Sequence, residues 1–324
     1  MALLQTETDL RFLGADGTPL AGTLTMPASD GEVPGLLLIQ GSGPTDRDGN
    51  QRPHLVPDLL RNLAGMLARF GIASLRCDKR GMGAVAGSLP TNPAALVDFA
   101  RWDHFVEDAR LALAALAAQE GVDGRRVGLL GHSEGGLIAL DLAAGGTASP
   151  AMMILVATPG RPIATVLRDQ LGRLGRRQGA PEAVLAGLLD ENDRILAGLA
   201  AGEGYPAVIS PGLAGLYPAY LLRYWQGFAA RDPAALAARC PCPVLVLAGG
   251  ADLQVSAERD VPALEAGLAG RAATGATRHR VSLIAGASHN LTSVAAPDDP
   301  GHAGPLHPDV QPALAGWFRE NGWI

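Results

Sequence analysis

The sequence of 324 residues predicts an α/β fold, with a mostly parallel eight-stranded sheet and helices on both faces. Apolar runs such as GLLLIQ (35–40) and VGLLG (127–131) have the continuous hydrophobicity of strands buried on both faces. Between such runs lie stretches with helical apolar spacing. This alternation is typical of βαβ units with right-handed crossovers. A hydrophobic content of 48% is enough to build a large core.

The predicted elements follow one another in a regular order. Strands are predicted at 8–13, 19–26, 35–40, 72–77, 127–131, 152–157, 244–249 and 281–285. The first two flank the turn ADG and form a predicted hairpin at the sheet edge. Helices are predicted at 57–69 (stopped by Gly71), 94–119, 134–144, 256–268 and 308–320. The Pro-, Gly- and Asp-rich segment 294–306 is predicted to be a loop.

One segment interrupts this order. More than eighty residues between the strands at 152–157 and 244–249 carry helical patterns and no strand signal. We interpret residues 159–235 as a helical cap inserted in a core formed by 1–158 and 236–324.

Aromatic residues cluster near the end of the predicted cap. Tyr217, Tyr220, Tyr224 and Phe228 are spaced by 3, 4 and 4 residues, which predicts one helix face. Such a stripe usually packs against other elements. The alternative is that Tyr217, Tyr220, Tyr224 and Trp225 line a substrate pocket.

Composition disfavours several classes of protein. The net charge of −6 disfavours a nucleic-acid or anionic-membrane partner. No apolar run approaches the length of about 20 residues that a membrane span needs. Glu7 and Asp9 stand where a signal peptide would be basic or apolar. Cys77, Cys240 and Cys242 show no metal-type spacing, so we expect reduced thiols, no metal and a cytoplasmic location. A homodimer is left open.

The stretch GLLGHSEGGLIAL (128–140) places Ser133 between Gly131 and Gly135. In a chain with 42 glycines this pattern alone is weak evidence. Its context is more specific, because Ser133 follows a predicted buried strand and begins a predicted helix. Such a turn exposes a nucleophilic serine and requires glycine where the backbones approach closely.

A serine nucleophile needs a histidine base held by a carboxylate. His289 directly follows the last predicted strand, and Asp252 follows the strand before it. The carboxyl ends of parallel strands meet at one edge of the sheet, so Ser133, Asp252 and His289 are expected to converge there. The alternative for Asp252 is a helix N-cap.

The Gly-rich loop QGSGPTDRDGN (40–50) follows the strand at 35–40 and is expected to complete an oxyanion hole. The predicted donors are the backbone N–H groups of Glu134 and Ser42, with Gly43 as the alternative to Ser42. Four polar residues of the loop are expected to hold it rigid by hydrogen bonds, with contact to substrate as the alternative: Asp46, Arg47, Asp48 and Asn50. Asp78 and Arg80 are expected to form a structural ion pair or to brace a loop near the site.

The chain resembles α/β-hydrolase fold serine hydrolases, in particular capped bacterial carboxylesterases and the dienelactone-hydrolase-like and serine-aminopeptidase-like families. The motifs that carry the resemblance are QGSGPTDRDGN, RCDKRGMGAVAGS, GHSEGG, GGADLQV and GASHN, which extend over nearly the whole chain except the predicted cap. Many relatives have His-Gly at the oxyanion loop, whereas this chain has Gln40–Gly41. The order Ser133, Asp252, His289 is that of the family's triad.

The expected function is hydrolysis of a small-molecule carboxylic ester, through an acyl-enzyme on Ser133 and without a cofactor. A peptidase, amidase or thioesterase would use the same triad. An aminopeptidase would also need a carboxylate for the substrate amine, and Asp190 or Glu191 could supply it. The remaining alternative, from a different class, is a non-catalytic binding module with this fold.

Overall fold

All eight predicted strands are present in one sheet. The computed structural model describes residues 5–271, 278–296 and 299–324. The strands are β1 (Gln5–Leu13), β2 (Pro19–Pro27), β3 (Val33–Ile39), β4 (Ala73–Cys77), β5 (Val122–His132), β6 (Met153–Val156), β7 (Val244–Gly249) and β8 (His279–Ile284). Residues 1–4 and residues 297–298 of the predicted loop at 294–306 lie outside the described residues.

The sheet is mostly parallel, as predicted. The strand order is β1-β2-β4-β3-β5-β6-β7-β8. The hairpin β1–β2 lies at one edge and pairs antiparallel with β4, while the strands from β4 to β8 pair in parallel. The carboxyl ends of β3, β4, β5, β6, β7 and β8 therefore share one edge of the sheet, where open α/β sheets bind ligands.

Eleven α-helices lie among the described residues. They are α1 (Leu59–Arg69), α2 (Pro93–Phe99), α3 (Trp102–Ala117), α4 (Glu134–Ala144), α5 (Ile163–Arg177), α6 (Glu182–Ala200), α7 (Pro211–Ala214), α8 (Leu222–Ala229), α9 (Pro233–Ala237), α10 (Ala257–Ala269) and α11 (Val310–Glu320). The prediction for 134–144 matches α4 at both ends.

The prediction of one helix over 94–119 is wrong, because the structure has two helices there, α2 and α3. Arg101, between them, has an extended backbone with ψ 147°. The carbonyl oxygen of Phe99, just before this break, accepts a 2.8 Å hydrogen bond from Arg80 Nη1. The guanidinium thus satisfies a helix-end carbonyl, which His104 Nδ1 also approaches at 3.3 Å.

Alternate residues of the central strands face two separate cores. Leu37 and Ile39 belong to the core that includes α3, α4 and α10, while Leu36 and Leu38 belong to the core that includes α1 and α11. Helices therefore cover both faces of the sheet, which is why β3 reads as a continuous apolar run. Helix α4 is buried almost all round, and this fixes the turn at its start.

Five helices, α5 to α9, lie between β6 and β7, with no strand among them. We call residues 159–235 the helical insertion. Its aromatic side chains, except the exposed Tyr220, belong to or pack against the same buried core as α3 and α4. Within the described residues, no helix combines the length and the apolar character needed to cross a membrane.

Candidate active site

Ser133 occupies the turn between β5 and α4, with φ 55° and ψ −120°. This left-handed conformation costs a residue with a side chain roughly 1–3 kcal/mol. The surrounding structure holds the turn, because the Ser133 N–H donates to the Val156 carbonyl oxygen (2.8 Å) and the Ser133 carbonyl oxygen accepts from Gly136 N–H (2.9 Å). The strand–turn–helix context predicted from the sequence is therefore present.

The glycines around Ser133 are required by close backbone contacts. A Cβ on Gly131 would lie 2.3 Å from the carbonyl oxygen of Gly135, and one on Gly135 would lie 2.3 Å from that of Ile39. Gly136 is similarly closed to a side chain. Only glycine lets β5, α4 and the end of β3 approach this closely.

Asp252 and His289 meet at the same edge of the sheet. His289 Nδ1 lies 2.7 Å from Asp252 Oδ2, and both side chains are buried. The other carboxylate oxygen, Oδ1, accepts from the N–H groups of Gln254 (2.7 Å) and Val255 (2.9 Å). With its partners fixed, the carboxylate makes Nδ1 the protonated nitrogen of a neutral His289 and leaves Nε2 as an acceptor.

The Asp252 side chain does not cap a helix, which was the alternative to a role in orienting His289. Helix α10 begins after Ser256, which is its N-cap residue. Asp252 instead closes the turn at the exit of β7 and orients His289. Among the described residues no hydrogen bond joins Ser133 Oγ to His289, and such bonds are often long until substrate binds.

The loop after β3 lies directly beside Ser133. A Cβ on Gly41 would lie 3.4 Å from Ser133 Cβ and 3.2 Å from His132 Nδ1. Within the described residues, the N–H groups of Ser42, Gly43 and Glu134 donate no hydrogen bond. They are therefore open to a substrate oxygen, and Ser42 and Gly43 both stay candidates for the second donor.

Gln40 stands before Gly41, at the position where the family resemblance leads us to expect a histidine. Its side chain is buried, and its Nε2 donates a 2.9 Å hydrogen bond to the Cys77 carbonyl oxygen at the end of β4. Gln40 thus ties the loop after β3 to the neighbouring strand.

The predicted braces of this loop are present. Asp46 Oδ1 accepts from the N–H groups of Asp48 (3.0 Å) and Asn50 (2.9 Å). Asn50 in turn makes two hydrogen bonds with Asp58, of 2.7 and 2.8 Å. Asp48 forms an ion pair with the buried Arg76. The loop is thus fixed by its own polar side chains and not by a hydrophobic core.

Asp78 braces the loop after β3, whereas the partners of Arg80 lie elsewhere, in α3 and at the end of α2. Asp78 forms a bidentate ion pair with Arg47, with distances of 3.0 and 2.5 Å, and so fixes the loop to the end of β4. Arg80 is almost fully buried and forms a bidentate pair with Asp108 of α3, with distances of 2.8 and 3.0 Å. Geometry of this kind is stronger and more directional than a surface ion pair.

Sequence reasoning gave no role to His132, which directly precedes Ser133. Its Nε2 donates a 3.0 Å hydrogen bond to the His289 carbonyl oxygen, and the two rings lie 4.7 Å apart. Burial, with a smaller contribution from His289, lowers the pKa of His132 to about 3. His132 is therefore neutral at ordinary pH and holds the backbone of His289. In the sequence, the only signal for this role was the position of His132 next to Ser133.

Sequence reasoning also missed Lys79. Its Nζ lies 3.2 Å from Glu134 Oε1 and 3.1 Å from the Gly43 carbonyl oxygen. Tyr224 of α8 donates its hydroxyl hydrogen to Glu134 Oε2. Burial, followed by the adjacent carboxylate, raises the pKa of Tyr224 well above its ordinary value, so this phenol remains a donor.

The aromatic residues do not share one helix face as predicted. Helix α8 begins at Leu222, so Tyr217 and Tyr220 precede it. Tyr220 is 43% exposed, while Tyr217, Tyr224 and Trp225 are buried. The Tyr217 hydroxyl donates to Asn192 (2.6 Å) and Trp225 Nε1 donates to Leu216 (2.7 Å). Packing accounts for Tyr217 and Trp225.

The structure also bears on the three cysteines and on possible metal sites. Cys77, Cys240 and Cys242 are free thiols. Cys240 Sγ and Cys242 Sγ lie 3.6 Å apart in the buried stretch before β7. In the ranges that the structure describes, no group of three or more His, Cys, Asp or Glu side chains is placed to hold a metal ion.

Comparison with known proteins agrees with this geometry. Over 98% of this chain and 99% of the other, the structure resembles Est1E from Butyrivibrio proteoclasticus, with 16% identity and a TM-score of 0.55. The alpha/beta hydrolase GrgF from Penicillium sp. is similar over 88% and 91% of the two chains, with 18% identity and a TM-score of 0.53. The chain has the α/β-hydrolase fold.

Sequence matches to this chain are more limited in extent. Residues 58–180 match the family model described as serine aminopeptidase, S33. Esterase EstD from Thermotoga maritima is 32% identical over 241 residues, which are 74% of this chain and 52% of the esterase. The chain thus spans about half the length of that curated relative.

Proposed function

We propose that this α/β-hydrolase is a serine hydrolase that cleaves carboxylic esters through an acyl-enzyme on Ser133. The observation that carries the proposal is the 2.7 Å bond between buried Asp252 and His289 at the sheet edge where Ser133 is held in a left-handed turn. A neutral histidine that donates Nδ1–H to a carboxylate and presents Nε2 as an acceptor is the base that a serine hydroxyl needs.

In the first step His289 Nε2 takes the proton of the Ser133 hydroxyl as the serine oxygen attacks the ester carbonyl carbon. The carbonyl oxygen becomes an oxyanion, which accepts hydrogen bonds from the N–H groups of Glu134 and of Ser42 or Gly43. Asp252 stabilises the positive charge on His289 without taking its proton.

The tetrahedral intermediate then collapses. The bond to the leaving alkoxy oxygen breaks, this oxygen takes the proton from His289, and the alcohol departs. A water molecule repeats the sequence on the acyl-enzyme, giving the carboxylic acid and free Ser133. No step requires a metal or an organic cofactor.

Two features favour an ester over an aminoacyl substrate. The sequence relative with the broad match is an esterase. The carboxylates considered as anchors for a substrate amine are also engaged. Glu191 accepts from the N–H (2.8 Å) and the hydroxyl (2.5 Å) of Ser210, and these bonds lower the pKa of its carboxyl. Asp190 pairs with Arg168.

The position and the contacts of the helical insertion, residues 159–235, support a role for it as a cap. It leaves the sheet after β6 and returns before β7, between the strands that carry Ser133 and Asp252. Tyr224 reaches Glu134, the residue after the proposed nucleophile. We propose that this insertion bounds the substrate pocket and that the core consists of residues 1–158 and 236–324.

The test is labelling of the purified protein with a fluorophosphonate, read by intact mass and peptide mapping. A single adduct on Ser133, absent in Ser133→Ala and retained in Ser149→Ala, is the expected result, because Ser149 is exposed and distant in sequence from the turn. No adduct on a folded protein would overturn the proposal in favour of a binding module.

Rates on p-nitrophenyl esters, aminoacyl p-nitroanilides and acyl thioesters then compare the substrate classes. The expected result is a higher kcat/KM for the esters. A higher value for the anilides would make the protein a peptidase, consistent with the description of its family model.

A further inference from the structure

Lys79 contacts both sides of the proposed oxyanion hole. Its Nζ donates to the carbonyl oxygen of Gly43 (3.1 Å), in the loop after β3. The same ammonium pairs with the side chain of Glu134 (3.2 Å), the first residue of α4. The two backbone donors proposed for the oxyanion, one in this loop and one at Glu134, therefore belong to segments that a single cation links.

The Lys79–Glu134 pair is enclosed. The Lys79 side chain is 11% exposed and that of Glu134 is 2% exposed. The Lys79 ammonium also lies 5.9 Å from the centre of the Phe105 ring. An ion pair in such surroundings is little screened by salt, and removing one partner leaves a buried unpaired charge.

Tyr224 extends the link to the helical insertion. Its hydroxyl donates to the second oxygen of Glu134, so both carboxylate oxygens have a donor. Its ring packs against Trp102 and Phe105 of α3, with centroid distances of 5.8 Å to each. Helix α8 is thereby joined to the turn that carries the proposed nucleophile.

We propose that Lys79 is a positioning residue that sets the spacing of the two oxyanion donors, and that the Glu134–Tyr224 bond couples this spacing to helix α8. The inference rests on the proposed function, because it assigns a role within the same acyl transfer. The mechanism above needs neither side chain of the pair, and a role in stability alone would not require a bond to Gly43.

The role predicts a defect in the chemical step. In Lys79→Met the Gly43 carbonyl loses its donor and the loop can move relative to α4. The transition state, which alone carries the oxyanion, then loses more stabilisation than bound substrate does. We expect kcat to fall about 10- to 100-fold with little change in KM, less than the loss of an entire oxyanion donor.

The experiment measures kcat and KM on p-nitrophenyl acetate, the rate of fluorophosphonate labelling and the thermal midpoint for four variants. Lys79→Met is the primary variant. Lys79→Met/Glu134→Gln removes the unpaired carboxylate, so its stability should recover while kcat stays low. Lys79→Arg, which keeps a cationic donor, should regain part of kcat. Arg223→Met is the control, because Arg223 lies on α8 next to Tyr224 and forms an exposed ion pair with Asp98 of α2.

The outcomes separate this inference from the proposed function. An unsubstituted protein without an adduct on Ser133 would overturn both. Labelling at the same rate in Lys79→Met and in the unsubstituted protein would overturn the positioning role alone. Recovery of kcat together with stability in the double variant would assign Lys79 to folding, and would also overturn it. If Lys79→Met does not fold, the labelling rate and kcat of the double variant and of Lys79→Arg test the inference instead. If both variants then have the kcat of the unsubstituted protein, the inference is overturned.

Discussion

His289 Nδ1 and Asp252 Oδ2 lie 2.7 Å apart, although 37 residues separate them in the chain. The pair forms because β7 and β8 are adjacent parallel strands whose carboxyl ends carry the two residues. The carboxylate is already held by two N–H groups, so it fixes the histidine ring and not the reverse.

Asp252→Asn should reduce kcat by about 10³- to 10⁴-fold with little effect on folding, because an amide can donate to Nδ1 and so favours the wrong tautomer of His289. Ester hydrolysis and thermal unfolding measure the two effects. The matched control is Asp309→Asn, since Asp309 stands 3.7 Å from His307 but is largely exposed. A loss below tenfold would argue that another group orients His289.

Gly135→Ala should destabilise the fold by roughly 3 kcal/mol or more, because the new Cβ would lie 2.3 Å from the Ile39 carbonyl oxygen. Gly187 is the control, since it lies in helix α6 and a Cβ there meets nothing within 4 Å. Gly187→Ala should stabilise the protein by about 0.5–1 kcal/mol. Urea denaturation measures both, and equal stability of the two variants would contradict the close approach.

His132 should contribute to acid unfolding. The folded state keeps this ring neutral down to about pH 3, whereas the unfolded chain binds the proton below pH 6.5. Protonation therefore favours the unfolded state, so stability is complete above pH 6.5 and decreases as the pH falls. The contribution is roughly 1.4 kcal/mol per pH unit within this window.

The measurement is the free energy of unfolding between pH 4 and 7 for His132→Gln. Its slope against pH should be shallower than that of the unsubstituted protein. His54→Gln, at an exposed histidine, is the control and should leave the slope unchanged. Parallel slopes for all three proteins would show that His132 titrates normally.

Asp260 should be important for anchoring the start of the helical insertion. This fully buried side chain accepts from the N–H groups of Gly160 (3.0 Å) and Arg161 (3.2 Å), and it forms an ion pair with the Arg161 guanidinium (2.8 Å). Asp260→Asn should cost about 1.5–3 kcal/mol of stability, because the Arg161 guanidinium loses its buried carboxylate partner and keeps only the ion pair with Asp169 (3.0 Å).

Asp232→Asn is the matched control, since Asp232 caps helix α9 and asparagine caps helices equally well. Urea denaturation should show little change for this variant. If Asp260→Asn were as stable as Asp232→Asn, the ion pair with Arg161 would contribute little to the anchoring of the insertion.

Strands and the turn at Ser133 could be predicted from local signals. Buried strands leave continuous apolar runs, and the crowded backbone around Ser133 leaves glycines. The order of elements then places Asp252 and His289 at one edge, because parallel strands all end there.

Contacts between distant side chains could not be predicted in this way. The break between α2 and α3 is accompanied by the hydrogen bond from Arg80 to the Phe99 carbonyl oxygen. The apolar spacing of residues 94–119 contains no signal for this bond. The environment of Lys79 depends on a loop 36 residues away and on a turn 55 residues away. Tyr220 has the spacing of an α-helical face, but it lies in the short 3-10 turn after Pro218 and not in helix α8.

The strand order has a consequence for synthesis on the ribosome. From β5 onward each new strand is added beside the previous one, in the order β5, β6, β7, β8. A nascent chain emerging from its N-terminus can therefore enlarge an existing sheet strand by strand. Ser133 takes its place early, while His289 arrives with the strand that is added at the edge. The emerging chain thus carries the proposed nucleophile long before the proposed base, and the candidate site is incomplete until β8 has been made.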